Sequence, residues 1–325
     1  MRDEIVMPAW KLASESVTIK KFNFLPSLLA TAYLSFIVLY QVAFSYVYIF
    51  KMKDQFFSLV IEFTHTSYFM ETLVTIGVFF VLYLLITPIA EGGLIHLISH
   101  KDSGDAWDRP FGKAISAGLR NFLPIFEAHN LLSPFKLLSI ITFYFFLLRI
   151  FGKEYAMPIS ILMLVYLGFS FLINILFAYT RFFIVFEHKK AFDAMGKSVR
   201  MALDNLEVTF RLYFTLLLVY VRTILTVVAF IVFPLVISAI LTYVSIAFVK
   251  TVAIIIVGAM IVFFLGFISH LNSVLEIFVE SLWFKAWKDN AVRMAEDDRR
   301  HNHGHGHDDH GHDDHEHGHD DHGHH

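Results

Sequence analysis

Long apolar stretches separated by short polar segments dominate the first 290 residues of the chain. A helix needs about 20 mostly apolar residues to cross the ~30 Å hydrocarbon core of a bilayer, and six stretches meet this requirement. They cover residues 24–50, 70–98, 131–151, 157–186, 212–243 and 251–283. The pattern predicts an all-α, polytopic membrane protein with six transmembrane helices in a membrane domain of residues 1–290.

Two of the polar segments carry apolar residues at helical spacing. Residues 111–127 and 195–211 align at an offset of 84. The identical pairs are Gly112/Gly196, Lys113/Lys197, Leu119/Leu203, Asn121/Asn205 and Phe126/Phe210. Apolar residues recur at spacings of 4, 4, 3 and 4 in both segments, which indicates amphipathic helices. Such helices either bind anionic lipid or a protein partner, or pack beneath the membrane helices as structural elbows.

The same element is predicted once more near the N-terminus. Residues 23–26 repeat the Asn-Phe-Leu-Pro of residues 121–124, and a weaker amphipathic helix precedes them at 13–22. The chain then consists of three units, each an amphipathic cytoplasmic helix followed by a membrane hairpin. The units cover about residues 10–99, 110–186 and 192–283. These repeats are parallel, whereas inverted repeats are the stronger pointer to alternating-access transport.

The distribution of Lys and Arg predicts the orientation of the chain. The terminal segments and the two long loops hold 19 of these residues, with Arg181 counted at a loop edge, and the other three loops hold five. Because cytoplasmic loops carry the excess of basic residues, we expect both termini and both long loops in the cytoplasm, in a multi-pass protein of the cell membrane.

Composition excludes several other classes of protein. Hydrophobic residues make up 56% of the chain and charged residues 17%, a balance suited to lipid as the main solvent. The sequence has no Cys, which excludes disulfides and thiolate metal sites. The first 300 residues carry 26 basic against 22 acidic side chains, a mild excess that suits anionic lipid and gives no sign of nucleic-acid binding.

A Glu-Gly-Gly-Leu sequence at residues 91–94 is predicted to form a turn leading out of the second apolar stretch, and Gly-Lys-Ala/Ser recurs in the long cytoplasmic loops. With these features the chain resembles the membrane domain attached to some glycerophosphoryl diester phosphodiesterases, and related uncharacterised six-helix families of bacteria and archaea. The resemblance covers most of residues 10–290 and implies a fold and a membrane location. It implies no reaction, because the catalytic residues of the soluble phosphodiesterase domain have no counterpart here.

Ionisable side chains inside the apolar stretches are candidates for function, because charges are costly in hydrocarbon. These intramembrane polar candidates are Glu91, His96, Arg222, Glu276 and Glu280. An ion pair of Arg222 with Glu276 or Glu91 is predicted. It either stabilises the packing of the helices or forms part of a proton or substrate path. If the side chains of Glu91, His96, Glu276 and Glu280 converge on one space, they form a path for divalent metal ions. If these side chains are scattered, they are polar groups at the ends of helices. Arg181 and Glu187 are predicted to lie at the membrane interface.

The C-terminal segment, residues 291–325, is predicted to be a cytoplasmic tail that is His/Asp-rich and disordered from residue 301, since it has no apolar residues to bury. Imidazole and carboxylate groups suit Zn, Ni, Co or Cu, and His-rich tracts bind metal without a fold. The predicted ligands are His301, His303, His305, His307, His310, His312, His315, His317, His319, His322, His324 and His325. No cofactor is required elsewhere.

Motifs of catalysis are missing from the sequence, which contains no HExxH, GxSxG, P-loop or paired-carboxylate pattern, so we expect no enzyme. The leading hypothesis is a membrane scaffold or lipid- or partner-interacting module with a metal-binding tail. Its partners are the lipid bilayer and a protein at the amphipathic helices. The alternative hypothesis is a divalent metal ion (Zn, Ni or Co) transporter, or a regulator of one.

Overall fold

The computed structural model of the chain describes residues 5–48, 53–104, 110–217 and 247–304. All regular elements in these ranges are helices, which confirms the all-α prediction. In chain order they are α1 (Met7–Glu15), α2 (Val17–Tyr48), α3 (Lys53–Thr64), α4 (Phe69–Asp102), α5 (Pro110–Arg120), α6 (Phe122–Leu132), α7 (Leu137–Phe151), α8 (Ala156–Leu176), α9 (Thr180–Glu187), α10 (Ala191–Asp204), α11 (206–217) and α12 (Ala247–Gly304). Short 3₁₀ turns, Ser133–Phe135 and Lys153–Tyr155, precede α7 and α8.

Four helical segments of the described ranges are long and apolar enough to cross a membrane: Val17–Val38, Phe69–Asp102, Lys153–Glu187 and Gly258–Met294. A fifth candidate joins Phe122–Phe135 to Leu137–Phe151 across a bend of 48°. The predicted stretch 212–243 lies outside the described residues beyond position 217. The chain is therefore a helical protein with four to five candidate membrane spans in the described ranges.

The bend between α6 and α7 has a local cause. Pro134 lies within the 3₁₀ turn Ser133–Phe135, and Lys136, which follows the turn, has extended backbone (φ −77°, ψ 141°), so the helix is interrupted there. The freed carbonyl of Phe135 accepts hydrogen bonds from Ser170 Oγ and from Asn174 Nδ2 (2.8 Å) of α8. Neighbouring polar side chains thus satisfy the backbone of a broken membrane helix.

Burial divides the helices into two halves. In α4, residues 88–98 are mostly buried, and Ile95 and Ile98 are fully so, whereas Leu73 and Val81 are more than half exposed. We call the buried part of the molecule the packed half. It contains the start of α2, residues 88–98 of α4, helix α9 and residues 277–286 of α12. The remaining parts of α2, α4, α7 and α8 form the exposed half, whose surface consists of large apolar side chains.

The Glu-Gly-Gly-Leu sequence at residues 91–94 does not form the predicted turn, because α4 continues through it without a break. Its glycines instead allow α5 to approach closely. A Cβ placed on Gly93 would lie 2.7 Å from the carbonyl oxygen of Ala114 and 2.7 Å from the ring of Phe22. The glycines are therefore required by helix packing, as are small residues between many membrane helices.

The two predicted elbows share a local geometry. The helix breaks between α5 and α6 at Asn121 and between α10 and α11 at Asn205. Each Asn side chain donates a hydrogen bond to the carbonyl oxygen four residues earlier, at 2.9 Å and 3.3 Å respectively. The N-terminal segment differs, because α2 runs unbroken through Asn23 and the interruption lies at Ser16.

The last helix, α12, reaches further than the predicted span. It continues through His301 and His303 to Gly304, four residues into the tail that is predicted to be disordered. Each residue added to an existing helix loses backbone conformational entropy but forms one new hydrogen bond, whereas starting a new helix is far less favourable. An existing helix can therefore extend into a polar sequence. The other ten tail histidines lie outside the described residues.

A charged cavity as the candidate functional site

A cavity of about 610 Å³ lies between α2, α4, α6, α8, α9, α11 and α12. Its wall includes apolar side chains such as Leu34, Leu132 and Leu216. The acidic and basic side chains that line it are Glu91, His129, Lys136, Arg181, Glu276 and Glu280. Ionisable groups from five parts of the chain thus converge on one space within the candidate spans.

Arg181 joins two of the carboxylates. Its Nη1 lies 3.3 Å from Glu91 Oε1 and 2.5 Å from Glu280 Oε1, so one guanidinium connects α4 to α12 through α9. The side chains of Glu91 and Glu280 are 12% and 5% exposed, and a charge so shielded from water needs an opposite charge nearby. Arg181 is therefore the electrostatic centre of the cavity.

The position of Arg181 depends on a break between α8 and α9. At this break Ser198 of α10 accepts a hydrogen bond from the Tyr179 backbone N–H (3.1 Å) and donates one to the Leu176 carbonyl oxygen (2.8 Å). The Tyr179 hydroxyl pairs with Thr209 Oγ1 at 2.9 Å. Because the backbone groups at the break find partners in α10, the chain can turn here and place Arg181 in the cavity.

An aromatic cluster fixes α9 against α12. The ring of Trp287 stacks on Phe186 at 4.8 Å between centroids, and it also contacts Phe182 and Phe284 at 6.1 and 6.3 Å. Trp283 contacts Tyr179 edge to face at 5.5 Å, is buried, and lines the cavity. These contacts hold the backbone that carries Arg181 and Glu280 in one arrangement.

Glu91 has a second partner in addition to Arg181. His129 Nε2 of α6 contacts Glu91 Oε2, whereas Arg181 Nη1 lies near the other carboxylate oxygen, Oε1. Lys136, at the bend after α6, also lines the cavity. The Glu91 side of the cavity thus combines one carboxylate with guanidinium, imidazole and ammonium groups.

Glu276 is held by neutral donors. Asn23 Nδ2 and Ser27 Oγ of α2 donate hydrogen bonds to Glu276 Oε2 at 2.8 and 2.9 Å. One turn later in α2 and one turn earlier in α12, Asn272 Nδ2 donates to Thr31 Oγ1 at 3.0 Å. This row of polar pairs joins α2 to α12, and all of its members except Asn23 line the cavity.

Two oxygen atoms at the cavity wall are buried and have no hydrogen-bond partner among the described residues. They are Glu280 Oε2 and Thr180 Oγ1. Both residues line the cavity and are less than 5% exposed. A buried polar atom without a partner costs about 1–3 kcal/mol, so an unpaired carboxylate oxygen in a native structure points to a further partner.

Three of the intramembrane candidates, Glu91, Glu276 and Glu280, line the cavity, and the structure therefore brings them together. His96 does not line it; this residue is half-buried on α4, near Arg120 of α5. Arg222 lies outside the described residues. The predicted ion pair of Arg222 with Glu276 or Glu91 therefore stays a prediction; among the described residues, Arg181 is the arginine that contacts Glu91, and it also contacts Glu280.

Sequence reasoning missed Arg181, His129 and Lys136 as members of the site. The sequence predicts Arg181 at the membrane interface, at the edge of the loop that follows its apolar stretch. The useful signal was its place inside that stretch, since an ionisable residue there usually faces other protein groups. His129 and Lys136 flank Pro134, and a proline in a span marks the bend that exposes them to the cavity.

Among the described residues, no group of three or more His, Cys, Asp and Glu side chains is arranged to hold a metal ion. The carboxylates of Glu91 and Glu280 are both in contact with Arg181, whose positive charge repels a cation at that point.

The fold and the cavity define a class, that of all-helical proteins with several candidate membrane spans and a charged space between them. Comparison with protein-family models, with curated proteins and with solved structures found no match. The resemblance to the phosphodiesterase-associated membrane domain therefore stays a prediction.

Proposed function

We propose that the protein is a non-enzymatic, multi-pass protein of the cell membrane that acts as a lipid-interacting module or scaffold. In this proposal its six spans form three parallel hairpin repeats, with both termini in the cytoplasm. The observation that carries it is the exposed apolar stripe on α5 and α10, the two amphipathic helices.

Helix α5 has separate faces for protein and for lipid. The small residues Ala114 and Gly118 are buried, and Gly118 packs so closely on α4 that a Cβ would contact the backbone of Ile89. Two bulky residues of the predicted stripe, Ile115 and Leu119, remain 46% and 57% exposed. A helix docked by its small residues thus presents its large apolar side chains outward.

Helix α10 has the same division. Ala194 and Ser198 are fully buried, whereas Phe192 and Leu203 are 72% and 56% exposed. The structural-elbow and lipid-binding interpretations therefore apply to different faces of these helices.

Charged residues complete the pattern on both helices. Lys113 and Arg120 on α5, and Lys197 and Arg200 on α10, are exposed on a face other than the apolar stripe. An exposed apolar stripe beside a basic one is typical of a helix that lies in the membrane interface, with its cations among anionic head groups. This arrangement supports lipid contact at both helices.

Single-cysteine labelling tests the proposal, and the Cys-free chain suits it. A fluorophore is placed at Leu119→Cys or Leu203→Cys, with Lys113→Cys and Lys197→Cys as matched controls one or two turns away. In liposomes containing brominated lipid, we expect strong quenching at the two leucine positions and weak quenching at the lysines. Equal quenching at all four positions would contradict lipid contact by the apolar stripe.

A metal ion transporter, or its regulator, is the second candidate function. The convergence of Glu91, Glu276 and Glu280 on one cavity favours it, since transported cations need such oxygen ligands. The contact of Arg181 with two of these carboxylates counts against it, because a divalent ion would have to displace the guanidinium.

Zinc and cobalt flux into proteoliposomes separates these two functions. The full chain, a chain ending at Arg300 and Glu276→Gln are compared. Flux that falls with Glu276→Gln would establish transport, and no flux from any of the three would leave the lipid-interacting module.

Metal binding by the tail is a separate part of the proposal. We expect the full chain to bind Zn or Ni in solution and the chain ending at Arg300 to bind none, as measured by calorimetry. Binding should be lost below about pH 6, because imidazole ligands must be neutral to coordinate a metal. Equal binding by both chains would exclude the tail as the site.

A further inference from the structure

The wall of the cavity formed by α12 carries an excess of acceptors. Glu276 and Glu280 lie four residues apart, on one face of the helix, and both line the cavity. The hydrogen bonds to Glu276 come from the neutral groups of Asn23 and Ser27, and Arg181 contacts only one oxygen of Glu280 among the described residues.

Glu280 Oε2 lacks a hydrogen-bond donor among the described residues, and Thr180 Oγ1, which can donate or accept, lacks a partner there. A carboxylate oxygen only accepts hydrogen bonds, and this one is buried with no partner among the described residues. Thr180 of α9 and Glu280 of α12 both line the cavity, and Glu276 adds a further carboxylate on the same wall. A positively charged group with several N–H donors suits a wall with these carboxylates.

A primary ammonium group meets this requirement better than a divalent ion. It supplies three N–H donors and a single positive charge, whereas a divalent ion has no N–H donor, takes several oxygen ligands at once and is repelled more strongly by Arg181. Trp283, whose side chain lines the same wall, adds an aromatic group of the kind that attracts cations.

The rest of the wall indicates what carries the ammonium group. Leu34, Leu216 and Leu217 line the cavity, so an apolar surface adjoins the charged one. Lys136 lines it as well and offers a cation to the anionic part of a zwitterion. A ligand with apolar chains and a zwitterionic head group matches all three features, and a bilayer contains such molecules in quantity.

We propose that this cavity binds the head group of an aminophospholipid, with its primary ammonium at Glu280, Thr180 and Glu276. The inference rests on the proposed lipid interaction and specifies the class of head group. It assigns to Glu280 the role of a binding residue in addition to its ion pair with Arg181.

Native mass spectrometry of the full chain tests this inference by titration with phosphatidylethanolamine, phosphatidylcholine or phosphatidylglycerol. The quaternary ammonium of phosphatidylcholine has no N–H donor, so we expect it to bind about 10-fold more weakly than phosphatidylethanolamine, the equivalent of one charged hydrogen bond. Glu280→Gln should reduce phosphatidylethanolamine binding to the phosphatidylcholine level. Glu187→Gln, the same change in an exposed ion pair with Lys197, should not.

Thr180→Val is a second variant, which removes the unpartnered Thr180 hydroxyl and leaves the Arg181–Glu280 pair intact. If Glu280→Gln does not fold, Thr180→Val tests the inference instead. Loss of the preference for phosphatidylethanolamine in this variant would support the inference, and an unchanged preference would overturn it. Ethanolamine without acyl chains is the third arm: binding as tight as that of the whole lipid would assign the cavity to a soluble amine and overturn the lipid inference.

Different results would overturn the aminophospholipid site and the proposed lipid-interacting module. Equal binding of all three lipids, unchanged in Glu280→Gln and Thr180→Val, would overturn the aminophospholipid inference and leave the lipid-interacting module. The absence of binding to any lipid, together with equal quenching at Leu119→Cys and Lys113→Cys, would overturn both.

Discussion

Residues 69–87 and residues 88–98 belong to one continuous helix, α4, yet they meet different surroundings. Most of the first segment is exposed, and its Leu73 and Val81 side chains are more than half accessible. The second segment is mostly buried and carries Glu91 with its partners His129 and Arg181. The same helix therefore has an exposed apolar surface at one end and is part of a packed, charged interior at the other.

This difference shows what holds helices together in lipid. Apolar side chains gain little by leaving hydrocarbon for a protein interior, so an apolar segment has no strong reason to pack. Small residues, ion pairs and hydrogen bonds do create specific contacts, and in this protein they are concentrated in the packed half. We therefore expect substitutions in the packed half to reduce stability far more than the same substitutions in the exposed half.

The largest effect is expected from Arg181→Ala. This change leaves the carboxylates of Glu91 and Glu280 without their shared cation and should cost about 3–5 kcal/mol of unfolding free energy. The matched control is Arg211→Ala, which breaks an exposed pair with Glu207 and should cost less than about 1 kcal/mol. Thermal unfolding in detergent measures both, and equal losses would contradict the central role of Arg181.

A pair of glycines in α4 should respond in opposite directions. Gly93→Ala forces a Cβ against the backbone of Ala114 and should destabilise the protein by about 1–3 kcal/mol. Gly77→Ala, in the exposed half, meets nothing within 4 Å and should stabilise the helix by up to about 1 kcal/mol. The unfolding temperatures of the two variants give the signs directly, and a gain in stability for Gly93→Ala would disprove the close approach of α5.

A smaller effect is expected at Asn23. Asn23→Ala removes a 2.8 Å hydrogen bond to Glu276 and should cost about 1–2 kcal/mol. Thr72→Ala is the comparison in the exposed half, where the lost hydrogen bond lies within one helix, at 2.8 Å to the carbonyl of Tyr68. The cost of this control should stay near zero, because the carbonyl keeps its helical partner. Chemical unfolding in mixed micelles compares the two.

The smallest effect is expected for an apolar exchange on the exposed surface. Leu73→Val changes a side chain that is 54% exposed, and the unfolding free energy should stay within about 0.5 kcal/mol of the original. Ile95→Val, in the fully buried part of the same helix, should cost about 0.5–1.5 kcal/mol. A greater loss for Leu73→Val would show that Leu73 packs against protein.

Much of the architecture could be predicted because its causes are local. Apolar stretches of about 20 residues and the spacing of apolar positions depend only on nearby residues, and they led to the correct fold class and to most of the helices. Glu91, Glu276 and Glu280 could be selected for the same reason, since a carboxylate inside an apolar stretch needs a partner wherever the stretch lies. The threefold repeat and the six spans stay predictions.

The partners of those carboxylates were decided only by the tertiary structure. Arg181 faces Glu280 because α8 breaks before Tyr179, and this break depends on the two hydrogen bonds that Ser198 makes, one accepted from Tyr179 N–H and one donated to Leu176. Ser198 comes 19 residues after Tyr179 in the chain. Periodicity records which residues share a face of one helix; it contains no information on which helices meet. The sequence alone therefore determined that these charges need partners, and only the packing of separate helices determined that Arg181, His129 and Asn23 provide them.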